Sequence, residues 1–182
     1  RNRIKRTELP CATISATFVS RASAKAVEEK LKRYNSLMVL DFDNLEDPDA
    51  AKKELSLLPF FWYIGLSVGG KGLFGIVPLG TDDHNEHKVY FNALRKELDL
   101  FGYEVDKACC DVTRLRVVSY DPDAYFNENC EVFCIDELDD EGGEIYSSGP
   151  VSERSQDKSS RIELYVQEWE KQHVPLDDYQ DW

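Results

Sequence analysis

The stretch FFWYIGLSVGGKGLFGIVP, Phe60 to Pro78, constrains the fold of this 182-residue chain more than any other. FFWYIGLS (Phe60–Ser67) and LFGIVP (Leu73–Pro78) are aromatic, apolar and β-branched, the composition of buried strands. Only VGGKG separates them, which leaves room for a glycine turn and no crossover, so the two strands run antiparallel. The same residues imitate a phosphate-binding loop. Gly65, Gly70 and Lys71 satisfy G-x-x-x-x-G-K-[ST], but Gly72 stands where a hydroxyl must hold magnesium. A strand also follows where a helix should begin. The P-loop reading fails. What survives is a turn whose amides, from Ser67 through Gly69, Gly70 and Gly72, can approach a phosphate while Lys71 supplies charge.

The rest of the chain arranges itself around that hairpin. Ser23 can cap a helix reaching Tyr34, with Val27, Leu31 and Tyr34 on one face. LMVLDF (Leu37–Phe42) reads as a buried strand. Asp47 and Pro48 form an N-cap and N1 pair opening a helix that ends before Pro59. Residues 85–101 set Tyr90, Phe91, Leu94, Leu98 and Phe101 on one stripe, stopped by Gly102. Strands near 103–106 and 114–119 complete the order β-α-β-β-α-β. This predicts an α+β fold with a split βαβ core sheet, ferredoxin- or RRM-like, and flanking helices.

Charge divides the chain. Of the net −13, most lies in residues 136–182, which hold fourteen acidic and four basic side chains. Residues 1–135 are close to balanced and open with the basic RNRIKR, so a phosphate-binding face is allowed and a broad DNA-coating surface is not. The predicted organisation is a globular domain over 1–135, an acidic Ser/Gly-rich linker over 136–160, and a helix over 161–173 with the possible start of a further module to 182. No run of about 18 apolar residues occurs and no signal-peptide pattern opens the sequence, which predicts a cytoplasmic protein with no membrane partner. Five irregularly spaced cysteines fit reduced thiols rather than a disulfide framework. A strand over EVFC would hold Cys130 and Cys134 about 13 Å apart, too far to share zinc. His84, His87 and His173 read as surface residues.

The chemistry-bearing residues are carboxylates and arginines. Asp41 and Asp43 end the LMVLDF strand at i, i+2 spacing, which points both to one face, where a divalent cation would relieve their repulsion. Asp106, with Asp111 as rival, supplies a third acid. Arg114 and Arg116 alternate onto one face and suit a triphosphate, or salt bridges to Asp111 or Glu104.

The ordered set Asp41-Phe42-Asp43, Ser67-Val68-Gly69-Gly70-Lys71-Gly72, and Asp106 followed by DVTRLRVVSYDP resembles the archaeo-eukaryotic primase superfamily. Within it the likeness is to the VirE-type N-terminal primase-like domain of bacterial mobile elements, over about residues 8–130, and LPCATISATF and SYDPDAYFN are similar too. The resemblance implies a primase-polymerase-type nucleotidyltransferase of DNA replication. In it Asp41, Asp43 and Asp106 would hold Mg²⁺ or Mn²⁺. Ser67, Gly69, Gly70, Lys71, Gly72, Arg114 and Arg116 would take a nucleoside triphosphate. Single-stranded or primed nucleic acid, and a helicase-like module in the parent protein, would be the partners. The chain departs from the family at Phe74, where many members carry a phosphate-contacting histidine.

Two other readings stand beside it. One is a non-catalytic nucleic-acid-binding module of the same fold, with Phe60, Phe61, Trp62 and Tyr63 as stacking faces. The other is a haloacid-dehalogenase-like phosphatase with Asp41 as nucleophile and Asp43 as general acid, on a parallel sheet.

Overall fold

The computed structural model describes residues 9–20, 26–138 and 144–146. The fold is mixed α+β, its sheets antiparallel. At its centre are β4 (Leu37–Phe42), β5 (Tyr63–Leu66), β6 (Leu73–Pro78) and β8 (Tyr125–Phe126), in the spatial order β4-β6-β5-β8. The hairpin forms as the sequence predicts: β5 and β6 pair antiparallel, closed by hydrogen bonds from Ser67 N to Gly72 O and from Gly70 N to Ser67 O. Gly70 has φ +67, which only glycine adopts freely. At Gly72 a Cβ would lie 2.4 Å from the Phe42 carbonyl, so the turn can nestle against β4 only without a side chain.

The two faces of the sheet follow from period-two alternation. Met38, Leu40 and Phe42 of β4 meet Leu73 and Val77 of β6 and Ile64 of β5 on one face. Helix α2 (Pro48–Leu55) adds Ala51 and Leu55, and α3 (His87–Leu100) adds Tyr90, Phe91, Leu94 and Leu98. Each fully buried Leu or Phe here stabilises the fold by about 1.5–3 kcal/mol. Asp47 caps α2 by accepting from the amides of Asp49 and Ala50, with Pro48 at the first helical position. Past the end of α3, Gly102 turns the chain with φ +76. On the other face lie Val39, Phe74 and Ile76, packed against Leu37, Trp62, Tyr63 and Ile14.

Several expectations require correction. The helix foreseen to Tyr34 survives as one turn, α1 (Val27–Lys30); Leu31–Tyr34 is β3, paired with β2 (Ala16–Phe18). One turn of helix is weak alone, and strand pairing captures the remainder. Residues 21–25 lie outside the described residues. The hairpin's first strand starts at Tyr63, because Phe60 and Phe61 turn into the core instead. No strand forms at 103–106, where a single backbone bond, Asp106 N to Asp41 O, ties the chain to the edge of β4. β7 (Leu115–Val117) pairs with β1 (Cys11–Thr13) rather than joining the central sheet. EVFC is not a strand either; Phe133 makes an isolated bridge to Leu79 and buries its ring against Phe60. β9 (Ile135–Leu138), which begins one residue before the foreseen linker, pairs with β10 (Glu144–Tyr146) inside it, while the helix foreseen over 161–173 lies outside the described residues. Among the described residues no helix is long and apolar enough to cross a membrane.

Candidate functional site

Asp41 is the third residue of the series Leu37, Val39, Asp41 on β4, so the alternation that half-buries Leu37 and buries Val39 also buries its carboxylate. Its cross-strand partner is Phe74. Two arginines of β7 and its approach reach it: Nη1 of Arg116 donates to Oδ1, and Nη2 of Arg114 lies 3.4 Å from Oδ2. The same Nη2 donates to Oδ2 of Asp106 at 2.6 Å. Arg114 therefore bridges the two aspartates, and Arg116 seals the buried one. The guanidinium of Arg116 also sits 4.0 Å above the Phe74 ring, held between a carboxylate and a π face.

Asp106 is positioned by local geometry. It precedes a 3-10 turn (Lys107–Cys110), and its Oδ1 caps that turn by accepting from Ala108 N. Three residues on, where 3-10 geometry eclipses i and i+3, Cys109 points back toward the same spot. The donor atoms of Asp41, Asp106 and Cys109 all lie within 4.8 Å of one another. Burial, with the charges of Asp41 and Asp106 beside it, pushes the Cys109 thiol up to about 12, so it is protonated. Burial pulls Arg116 downward and the Asp41 carboxylate opposes it. For Arg114 burial acts the same way, but Cys109, Asp106 and Asp41 outweigh it and the pKa rises. Both guanidiniums remain cations.

The predicted residues separate into those assembled here and those that are not. Asp41, Asp106, Arg114 and Arg116 converge. Asp43 does not: β4 ends at Phe42, Asn44 takes φ 57, and Asp43 is left exposed outside the donor group. Asp111 is exposed and bonded to Thr113, so Asp106 is the acid beside Asp41. Ser67, Gly69, Gly70, Lys71 and Gly72 form the hairpin turn, with Lys71 exposed and its carbonyl accepting from Leu45 N. Gly72, against Phe42 O, brings this turn beside the strand end that bears Asp41. Sequence reasoning missed Cys109 as a neighbour of the acids, although its i+3 spacing from Asp106 carried the signal. It also placed His87 on the surface; the ring is buried, with Nδ1 2.8 Å from Tyr34 Oη.

Two carboxylates within reach of one ion suit a divalent cation, and the Cys109 sulfur lies beside them. In the geometry described, the positive charge at that point comes from Arg114 instead. All five cysteines are free thiols.

No curated protein and no solved structure matches the chain. A family model does match, over residues 4–126, which takes in the whole central sheet and every residue of the cluster. The chain belongs to the family of BT4734-like N-terminal domains.

Proposed function

We propose that this domain binds a nucleoside triphosphate together with Mg²⁺ or Mn²⁺, in the manner of a primase-polymerase-type nucleotidyltransferase acting on DNA in replication or on a mobile element. The observation that carries the reading is the convergence of Asp41 and Asp106 with Arg114 and Arg116 beside the glycine turn. Carboxylates and arginines at one point are what metal-assisted phosphoryl transfer needs, one set for the cation and the other for the phosphates. The antiparallel central order β4-β6-β5, with β8 beyond β5, supports it as well. In this reading Asp41 and Asp106 hold the ion through carboxylate oxygens, with Cys109 packed beside them. Arg114 and Arg116 take the phosphates, the turn from Ser67 to Gly72 lies alongside, and a cytoplasmic setting fits the free thiols.

The test is binding of a labelled deoxynucleoside triphosphate with Mn²⁺ and with EDTA. Metal-dependent binding that the Asp41→Asn, Asp106→Asn double variant abolishes supports the reading. Binding of single-stranded DNA that ignores metal and survives the double variant supports the second one, a non-catalytic nucleic-acid module. That alternative has its own observation: both carboxylates are already neutralised by arginine, and Phe74 offers no donor. Of its stacking candidates, Phe60 and Phe61 are wholly buried, which leaves the half-buried Trp62 and Tyr63, with the exposed Phe126 edge-on to Trp62. The phosphatase reading needs a parallel sheet; the central sheet is antiparallel throughout, so it is not carried further.

A further inference from the structure

We propose that the arginines and aspartates of this cluster form an ionic latch, in which the cation site and the anion site mask each other and open together. The inference rests on the function proposed above and adds how that site is regulated. Every charge in it is already spent internally. Arg116 is committed to Asp41, and Arg114 to Asp106 and Asp41. A divalent cation cannot approach the two carboxylates while Arg114 Nη2 occupies the point between them. A polyphosphate cannot take the arginine forks while the carboxylates hold them. Whichever ligand arrives first must break the ion pairs, and doing so releases the groups its counterpart requires. The coupling is therefore positive and, being thermodynamic, reciprocal.

Two features mark the closed arrangement as one that a ligand improves. Nε of both Arg114 and Arg116 is buried with no hydrogen-bond partner, so each fork retains an unused donor. The Sγ of Cys109 lies within 4.8 Å of both carboxylates, so a further donor already stands at the point a cation would take. The latch also has a moving part. Arg116 is nearly enclosed and held over the Phe74 ring, whereas Arg114 and Asp106 are each about one-third exposed, so Arg114 is the side chain free to swing away.

Because Mn²⁺ and polyphosphate bind each other in solution, the latch is tested with one ligand at a time. Inorganic tripolyphosphate is titrated in EDTA into the full chain and into Asp106→Asn, whose amide oxygen keeps the cap on Ala108 while releasing Arg114. Glu104→Gln, exposed and two residues away, controls for the loss of one charge. Separately, Mn²⁺ alone is titrated into the full chain and into Arg114→Met, followed by electron paramagnetic resonance. Thermal melts verify that each variant folds. The latch requires Asp106→Asn to bind tripolyphosphate on the order of tenfold tighter than wild type, and Arg114→Met to bind Mn²⁺ tighter by a similar factor, with Glu104→Gln near wild type. If wild type binds both ligands and neither variant binds tighter, the latch is wrong and the functional reading stands. If no protein binds either ligand, both fall.

Discussion

Lys52 donates from Nζ to Oδ2 of Asp121 at 2.7 Å, with both side chains almost sealed from solvent. The carboxylate also accepts from the amides of Leu66 and Asp123, and Lys52 reaches the Asp123 carbonyl. Ser119 Oγ meanwhile donates to Leu66 O. One buried ion pair thus ties helix α2, the end of β5 and the SYDPD loop together. Burial acts to raise the Asp121 carboxyl, but Lys52 and the two amides outweigh it and hold the pKa below the ordinary aspartate range. Asp121→Ala strands a buried ammonium and two donors, and should destabilise the domain by about 3–5 kcal/mol in urea unfolding. Lys52→Met leaves the carboxylate its amide partners and should cost less. Equal losses would show that the amides contribute nothing.

A second prediction concerns the stack of Arg116 on Phe74. Phe74→Leu keeps an apolar side chain but removes the π face and the contact with Tyr63. The loss of packing and cation–π attraction should total about 1–3 kcal/mol. A double-mutant cycle with Arg116→Met isolates the pair and should show a coupling of about 0.5–2 kcal/mol. Zero coupling would make the stack a bystander. Phe74→His, which places a histidine where the resemblance asks for one, buries a polar ring under a guanidinium and should melt lower than Phe74→Leu.

What could be seen in the sequence was local. The turn glycines, Asp47-Pro48 and the stripe from Tyr90 to Phe101 identified β5, β6, α2 and α3, because each signal acts within a few residues. The alternation of Arg114 and Arg116 was visible; their partners were not, since pairing β7 with β1 is a choice made across a hundred residues of chain. Asp43 failed for a similar reason. Its i+2 spacing from Asp41 holds only while the strand lasts, and the glycine turn packing on Phe42 ends it one residue too soon. His87 was a missed signal: it stands three and four residues before Tyr90 and Phe91, in phase with the buried stripe.

The third prediction separates the glycines of the turn. Gly70 has open space around it and only its positive φ to satisfy, so Gly70→Asn should cost well under 1 kcal/mol and Gly70→Ala about 1. Gly72→Ala drives a methyl into the Phe42 carbonyl, a backbone atom that cannot rotate aside. It should cost about 2–3 kcal/mol and disturb the Leu45-to-Lys71 bond beside the cluster. Thermal melts of the three variants decide it. A harmless Gly72→Ala would mean that the turn does not pack on β4 as described.

The last prediction is a pH dependence from His87. The ring is buried at the start of α3, edge-on to Tyr34, with Nε2 inaccessible and lacking a partner. With the proton on Nε2, the Tyr34 hydroxyl donates to Nδ1. Burial lowers the histidine to about 4 against the weaker opposing charge of Asp111, and burial lifts Tyr34 to about 12. In the unfolded chain the same histidine titrates near 6.5. Between those values the unfolded state binds the extra proton, so acid favours unfolding. The contribution of His87 is whole above about pH 6.5 and is lost progressively down to about pH 4, amounting to roughly 3 kcal/mol. Urea unfolding of the wild type at pH 7.5, 6, 5 and 4.5 should show that decline beyond what the carboxylates cause. His87→Gln, neutral at every pH, should be less stable at pH 7.5 but should flatten the curve between pH 6.5 and 4.5. An unchanged slope would place the histidine in contact with water, and the packing of α3 against Tyr34 would have to be redrawn.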